Sequence, residues 1–383
     1  MDFSKVGAFL DEQVKLGLPM GQVLVTKDYE TVYSHNAGWQ DAEKTVPASD
    51  DTLCWCFSNT KVYTATCLAR LIEEGKIGLD DPVSNYLPEF AEISYKDGDE
   101  IKKATKPLTV RHLITMTSGL SYAYKRDYPH FTEAVQKPGV TTREAVAAFV
   151  KDPWEFEPGT EFLYGFSHDV VAAVIEVASG MRFSEYMRKI IFEPLGIRDT
   201  GFRPNEEQKT RFAAMYRSVP ETGEIVLREA QVNEFTFCEN YESGGGGLFS
   251  CPKEYGKLLT VLACGGVSKD GYRLLKPETI DLMSKNQLVG KPWYTYHHEG
   301  GREIRRPGYG YGLGVRVHMD PAASGRKTSV GEFGWTGAAG ALSVIDPKKR
   351  LAIVYAQHVR GKGKQKTMIR EALINLVCEA LDA

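Results

Sequence analysis

The sequence predicts an α/β (α+β) fold: a central antiparallel sheet flanked by helices and built from both chain termini, with a mainly α-helical domain inserted between its halves. Three observations carry this reading. Short apolar runs separated by turns fill residues 20–57, helical spacings dominate the middle third, and the last third returns to strands before a closing helix. The expected division is residues 1–75 with 290–383 for the sheet and 76–289 for the helical part. A chain of 383 residues suits one large domain or two interleaved ones.

The elements follow in order. "MDFSKVGAFLDEQVKLGLPMGQVLV" opens as an amphipathic helix and a strand. It lacks the basic start and unbroken apolar core of a signal peptide, so a cytoplasmic protein is expected. "GQVLVTKD", "ETVYSHNAG" and "DTLCWCF" read as antiparallel strands. A helix runs from Ser58 to about Glu74 and stops at Gly75. "TVRHLITMTSGL" is a short helix ending at Gly119, and "TTREAVAAFVKD" and "SHDVVAAVIEVASG" are two more. "FSEYMRKIIFEPLGI" is a fourth, broken by Pro194. "EYGKLLTVLACGG" is a helix stopped by a double glycine. "YGYGLGVRVH", "AAGALSVIDP" and "RLAIVYAQHV" are strands, and "KTMIREALINLVCEAL" has helical spacing of its apolar residues.

Composition excludes several classes. Net charge is -3 and there is no long basic run, so neither nucleic acid nor an anionic membrane is an expected partner. No apolar run approaches the ~20 residues of a membrane span. The seven cysteines are irregularly spaced and form no CxxC pair, as expected of buried, reduced thiols. His297-His298-Glu299 has no metal-ligand spacing and lies in a polar segment, read as a solvated loop. No metal or cofactor is expected.

The first chemical candidate is Ser58-Asn59-Thr60-Lys61. A serine hydroxyl is a poor nucleophile until a base draws off its proton. A lysine three positions on shares its helix face, and a cation in a first helical turn opposes the helix dipole. That awkward placement fits a proton-transfer role, although a four-residue pattern is common by chance. The second candidate is Tyr164, at the end of a short extended piece before a helix; beside the lysine it would serve as a phenolate-type base. The third is Trp335-Thr336-Gly337, where small residues on an edge strand would let an acyl group approach. Two rivals fail. Gly165-Phe166-Ser167-His168-Asp169 lacks the last glycine of a nucleophile elbow, so Ser167 reads as a helix cap. The glycines of "GYGYGLG" and Gly244 to Gly247 lack the pattern of a phosphate cradle.

Taken in order, these blocks resemble the serine β-lactamase and penicillin-binding-protein superfamily, in its class C and family VIII carboxylesterase branch. The resemblance spans nearly the whole chain: the SxxK helix with "LIEEGKIGLDDPVSNYLPEF", then "LTVRHLITMTSGLSY", "FEPGTEFLYGFSHDVVAAVIEVASG", "FEPLGIRDTGF", "GGGGLFS" and "GWTGAAGALSVIDP". It implies a β-lactamase/transpeptidase-like fold with its active site between the two parts. Ser58 would be the nucleophile, Lys61 and Tyr164 its proton carriers, and the Ser58 and Ala338 N–H groups the oxyanion hole. Trp335, Gly337, Phe166 and Glu242 would face the substrate. Three departures stand out. The family's Tyr-x-Asn has Phe166 at its third position, which cannot hydrogen-bond a substrate amide. The usual Lys-Thr-Gly is replaced by Trp335-Thr336-Gly337, which offers one N–H and no cation. Met116 replaces a common histidine, with no consequence that can be derived. The implied activity is that of a carboxylesterase on short or medium acyl esters, with weak β-lactam hydrolysis. Alternatives are a β-lactamase or D-Ala-D-Ala-type peptidase, an acyltransferase, and a non-catalytic binding protein on the same fold. Retention of Ser58, Lys61 and Tyr164 argues against the last.

Overall fold

The computed structural model describes residues 1–298, 306–361 and 364–383. The two ends of the chain meet in one antiparallel sheet. Among the described residues it has seven strands, in the order Glu30–Gly38, Met20–Lys27, Leu351–Ala356, Leu342–Asp346, Phe333–Thr336, Arg316–His318, Tyr309–Tyr311. The N-terminal strand lies against the last long one, with Gln22 opposite Ala356 and Lys27 opposite Leu351. A two-residue turn joins the first two strands. Asp28 and Tyr29 both take positive φ there, of 50° and 70°, the sense that matches strand twist in a tight hairpin.

Side chains alternate across this sheet, so each face has its own core. Val23, Val25, Val344 and Ile353 point to the face covered by the helices Ser4–Lys15 and Lys364–Asp382, where they meet Val6, Leu10, Leu373 and Val377. Leu24, Ile345 and Val354 point to the other face, against the helices Thr60–Glu73 and Pro252–Ala263. Beyond that second layer, the helix Ser167–Ser179 is buried along residues 167–175 and ends at Gly180 in the left-handed conformation. No helix among the described residues is long and apolar enough to cross a membrane.

Four local expectations change. The strand Cys54–Trp55 pairs with Phe249–Ser250 in a separate ribbon, outside the central sheet. There the chain must turn into the Ser58 segment, and the Cys56 amide bonds to the Leu248 carbonyl at 2.8 Å. Phe333–Thr336 is not an edge strand: it pairs with Leu342–Asp346 along its length and with Arg316–His318 over Phe333 and Gly334. Only its Trp335–Thr336 half is open on that side, because the neighbouring strand stops short. His297 and His298 close a helix, Gly290–His298, in which His297 packs on Trp293 with ring centroids 4.1 Å apart; they do not form a loop. Glu299 lies outside the described residues. Ser167 is the first residue of its helix and not its cap: its hydroxyl pairs with that of Ser118 at 2.8 Å.

The run Gly244 to Gly247 packs between two helices. A Cβ at Gly244 would lie 2.3 Å from the His168 carbonyl oxygen and 2.9 Å from the Ala172 side chain. One of these neighbours is backbone and cannot swing away, so Gly244→Ala is expected to cost about 2–3 kcal/mol of stability in urea denaturation. An unchanged midpoint would contradict this packing.

Candidate active site

The site begins with a strained turn. Phe57 has φ of +47°, a conformation rare for a bulky residue. It is followed by a 3₁₀ turn, Phe57–Asn59, and then the α-helix from Thr60. The two residues after Ser58 are tied down: the Tyr255 hydroxyl donates to the Asn59 carbonyl at 2.7 Å, and the Leu248 amide donates to the Thr60 hydroxyl at 3.0 Å. Ser58 itself is 9% exposed.

Lys61, one turn on, is fully buried. Its ammonium donates to the Gly245 carbonyl at 2.6 Å and to the Tyr122 hydroxyl at 2.9 Å. It also stands 4.7 Å from the centre of the Tyr164 ring. The glycine run therefore supplies a carbonyl to the lysine, a contact that needs close backbone approach. A Cβ at Gly245 would lie 2.6 Å from an Asp169 carboxylate oxygen and 3.5 Å from Lys61 Nζ.

Tyr164 enters from the loop ahead of helix Ser167–Ser179 and is half-buried. Its oxygen accepts the indole N–H of Trp335 at 3.1 Å. Trp335 is 1% exposed, and the Arg316 guanidinium lies 5.4 Å from its ring. The backbone of Trp335 is fixed by Ser343, whose hydroxyl accepts its amide at 3.0 Å. Gly337 follows in tight contact with the Ser58 segment: a Cβ there would lie 2.4 Å from the Cys56 carbonyl oxygen.

The structure thus gathers Ser58, Lys61, Tyr164, Trp335 and Gly337. Two other predicted residues stand apart. Phe166 is fully buried and packs edge-on against Tyr122 with centroids 4.8 Å apart, so it backs the Lys61 partner and does not line an open site. Glu242 is held elsewhere. Its carboxylate accepts Arg182 at 3.0 Å and both the amide and the hydroxyl of Ser184 at 2.7 Å.

Sequence reasoning missed Tyr122, which ends the "LTVRHLITMTSGLSY" block. Burial raises its phenol well above the ordinary value, and Tyr164 and Asp169 add to this, so it remains a neutral hydroxyl facing Lys61. It also missed Asp169, a fully buried carboxyl behind the lysine. Asp169 Oδ1 accepts the Tyr241 hydroxyl at 2.9 Å. Burial raises this carboxyl to about 6, against the opposing pull of Ser243, the Lys61 charge and Tyr241. The rival serine is sealed: Ser167 is buried, and burial with the Lys61 charge holds the neighbouring His168 neutral.

The beta-lactamase family model matches residues 6–375, and the chain belongs to that family. Its relatives include Esterase EstB of Burkholderia gladioli, 28% identical over 382 residues, which cover 94% of this chain and 91% of that protein. Monacolin J acid methylbutanoyltransferase of Aspergillus terreus is 30% identical over 254 residues, covering 63% of this chain and 59% of that protein. The unliganded structure of Simvastatin Synthase from Aspergillus terreus superposes with a TM-score of 0.84 at 23% identity, covering 99% of this chain and 98% of that one.

The Asp169 shift has a signed consequence. The folded carboxyl holds its proton more tightly than the unfolded one, so its stabilising contribution is full below about pH 4 and falls as pH rises through about 6. Urea denaturation at several pH values is expected to show the wild type losing up to about 3 kcal/mol relative to Asp169→Asn between pH 4 and 7. A stability difference that does not change with pH would refute the shift.

Proposed function

We propose that the protein is a serine carboxylesterase acting on short or medium acyl esters through an acyl-Ser58 intermediate. One observation carries this reading: the Trp335 indole N–H meets the Tyr164 oxygen beside a buried Lys61, where the related β-lactamases and peptidases carry a lysine. An indole at that position can orient the tyrosine, but it brings no charge for a substrate carboxylate. Phe166, buried behind Tyr122, offers a substrate peptide bond no hydrogen-bonding group. Both changes favour uncharged esters over anionic, peptide-like substrates.

In this reading Ser58 Oγ attacks the ester carbonyl carbon while its proton passes to the Tyr164 oxygen, a phenolate-type base beside the Lys61 cation. The carbonyl oxygen gains negative charge and is met by the Ser58 and Ala338 N–H groups. The intermediate collapses, the C–O bond to the alcohol breaks, and the alcohol leaves with that proton. Water then adds to the acyl-serine by the reverse path, releasing the acid and restoring the hydroxyl. A second reading, transfer of the acyl group to another alcohol, is supported by the methylbutanoyltransferase among the relatives.

A panel of p-nitrophenyl esters of two to eight carbons, run beside nitrocefin, separates these readings. Ester turnover is expected to exceed nitrocefin turnover and to fall by about 10³-fold or more in Ser58→Ala. Nitrocefin as the faster substrate would sink the esterase reading. Adding a competing alcohol and quantifying the new ester against the free acid by mass spectrometry decides between water and transfer. Trp335→Phe keeps an aromatic ring but removes the N–H donor. Its kcat is expected to drop about tenfold, the equivalent of one hydrogen bond, and an unchanged kcat would remove the indole from the mechanism.

A further inference from the structure

We infer that Arg370, far from the SxxK helix in sequence, is the positioning residue that aims the Ala338 N–H at the oxyanion. The inference rests on the acyl-serine reading above and adds a residue to it. Arg370 lies on the C-terminal helix Lys364–Asp382 and is 4% exposed. Its Nη2 donates to the Gly337 carbonyl at 2.7 Å, and its Nε donates to the Gly340 carbonyl at 2.9 Å.

The first of these contacts decides the matter geometrically. The Gly337 carbonyl and the Ala338 N–H belong to one planar peptide unit. No cis peptide bond occurs among the described residues, so the two groups point in opposite directions. The C-terminal helix packs on one face of the sheet, and helix Thr60–Glu73 packs on the other. A guanidinium that holds the carbonyl toward the C-terminal helix therefore turns the N–H toward the face that carries Ser58. A charged donor on the carbonyl also polarises the N–H of the same peptide, which strengthens it as a donor.

The rest of the turn is held in the same sense. The Gly337 carbonyl also accepts the Gly340 amide at 3.1 Å, the Gly337 amide donates to Ala341 at 2.8 Å, and the Ala339 carbonyl accepts the Val359 amide at 2.9 Å. Gly340 has φ of +113°, and a Cβ there would lie 2.1 Å from the Gln357 side chain, so the turn has little room to adopt another shape. Arg370 forms no ion pair among the described residues. Burial, together with the Arg306 and Arg316 charges, pulls it down to about 9. A buried cation satisfied by carbonyls alone is an expensive way to fasten a helix, since an apolar side chain of similar volume packs there at lower cost. Fixing the direction of one peptide accounts for what an apolar residue could not do.

The test compares the wild type, Ser58→Ala, Arg370→Lys and Arg370→Met on one p-nitrophenyl ester, with thermal unfolding and intact mass after a phosphonate probe measured for each. Arg370→Met is expected to lower kcat about 10- to 100-fold with KM within about twofold, and to slow phosphonylation of Ser58 by a similar factor. Arg370→Lys keeps the charge but not the two-pronged donor, and is expected to fall between the two. Should the methionine variant fail to fold, the lysine variant alone decides. Activity lost only in proportion to the unfolded fraction, or kcat retained in a folded variant, overturns the inference. A wild type that takes up no phosphonate at Ser58 overturns the acyl-serine reading and this inference with it, and is distinguished by appearing before any Arg370 variant is made.

Discussion

The burial of the Lys61 ammonium sets the terms for the rest of the site. A cation removed from water needs oxygen atoms around it. Here they come from the Gly245 carbonyl and the Tyr122 hydroxyl. Each supplier imposes a further condition. The carbonyl can come close only because the chain from Gly244 to Gly247 carries no side chains, and that run in turn fits between helices Thr60–Glu73 and Ser167–Ser179. Thr64 pins it with a bond to the Gly244 carbonyl at 2.7 Å. The hydroxyl is held by an aromatic cluster in which Tyr122 packs against Tyr164, Phe166 and Phe235. Phe166 thus has a use in this chain that an amide could not fill. It completes an apolar wall behind the lysine's partner.

Trp335 changes the other side of the site in a matching way. Its indole reaches the Tyr164 oxygen, and its ring also lies 5.4 Å from the Arg316 guanidinium. Trp335 and Phe166 lie on different segments and bear on different tyrosines, Trp335 on Tyr164 and Phe166 on Tyr122.

What the sequence made legible was mostly local or modular. Helical spacing placed Lys61 one turn from Ser58, and turn residues bounded the helix Ser167–Ser179 at Gly180. The closing of one sheet by both termini followed from where the strands fell along the chain. The remainder depended on partners distant in sequence. Nothing near Tyr122 says that its hydroxyl receives a lysine, and nothing near Asp169 says that its carboxyl is buried beside that charge. Glu242 stood next to the right glycines, but Arg182 and Ser184 hold its carboxylate. The Phe333–Thr336 strand read as an edge although "YGYGLGVRVH" read as a strand, because local pattern does not say which strands pair, and Arg316–His318 meets only Phe333 and Gly334.

The pairing of Met20–Lys27 with Leu351–Ala356 also bears on the order of events during synthesis. The hairpin of Met20–Lys27 and Glu30–Gly38 leaves the ribosome long before Leu351–Ala356, its neighbour on the other side. Long-range pairing of this kind is slow and leaves a strand edge open to aggregation in the interval. Arg370 emerges later still, on the helix Lys364–Asp382. A chain cut before Leu351 would therefore present an unpaired hairpin and a Gly337–Gly340 turn without its Arg370 contacts.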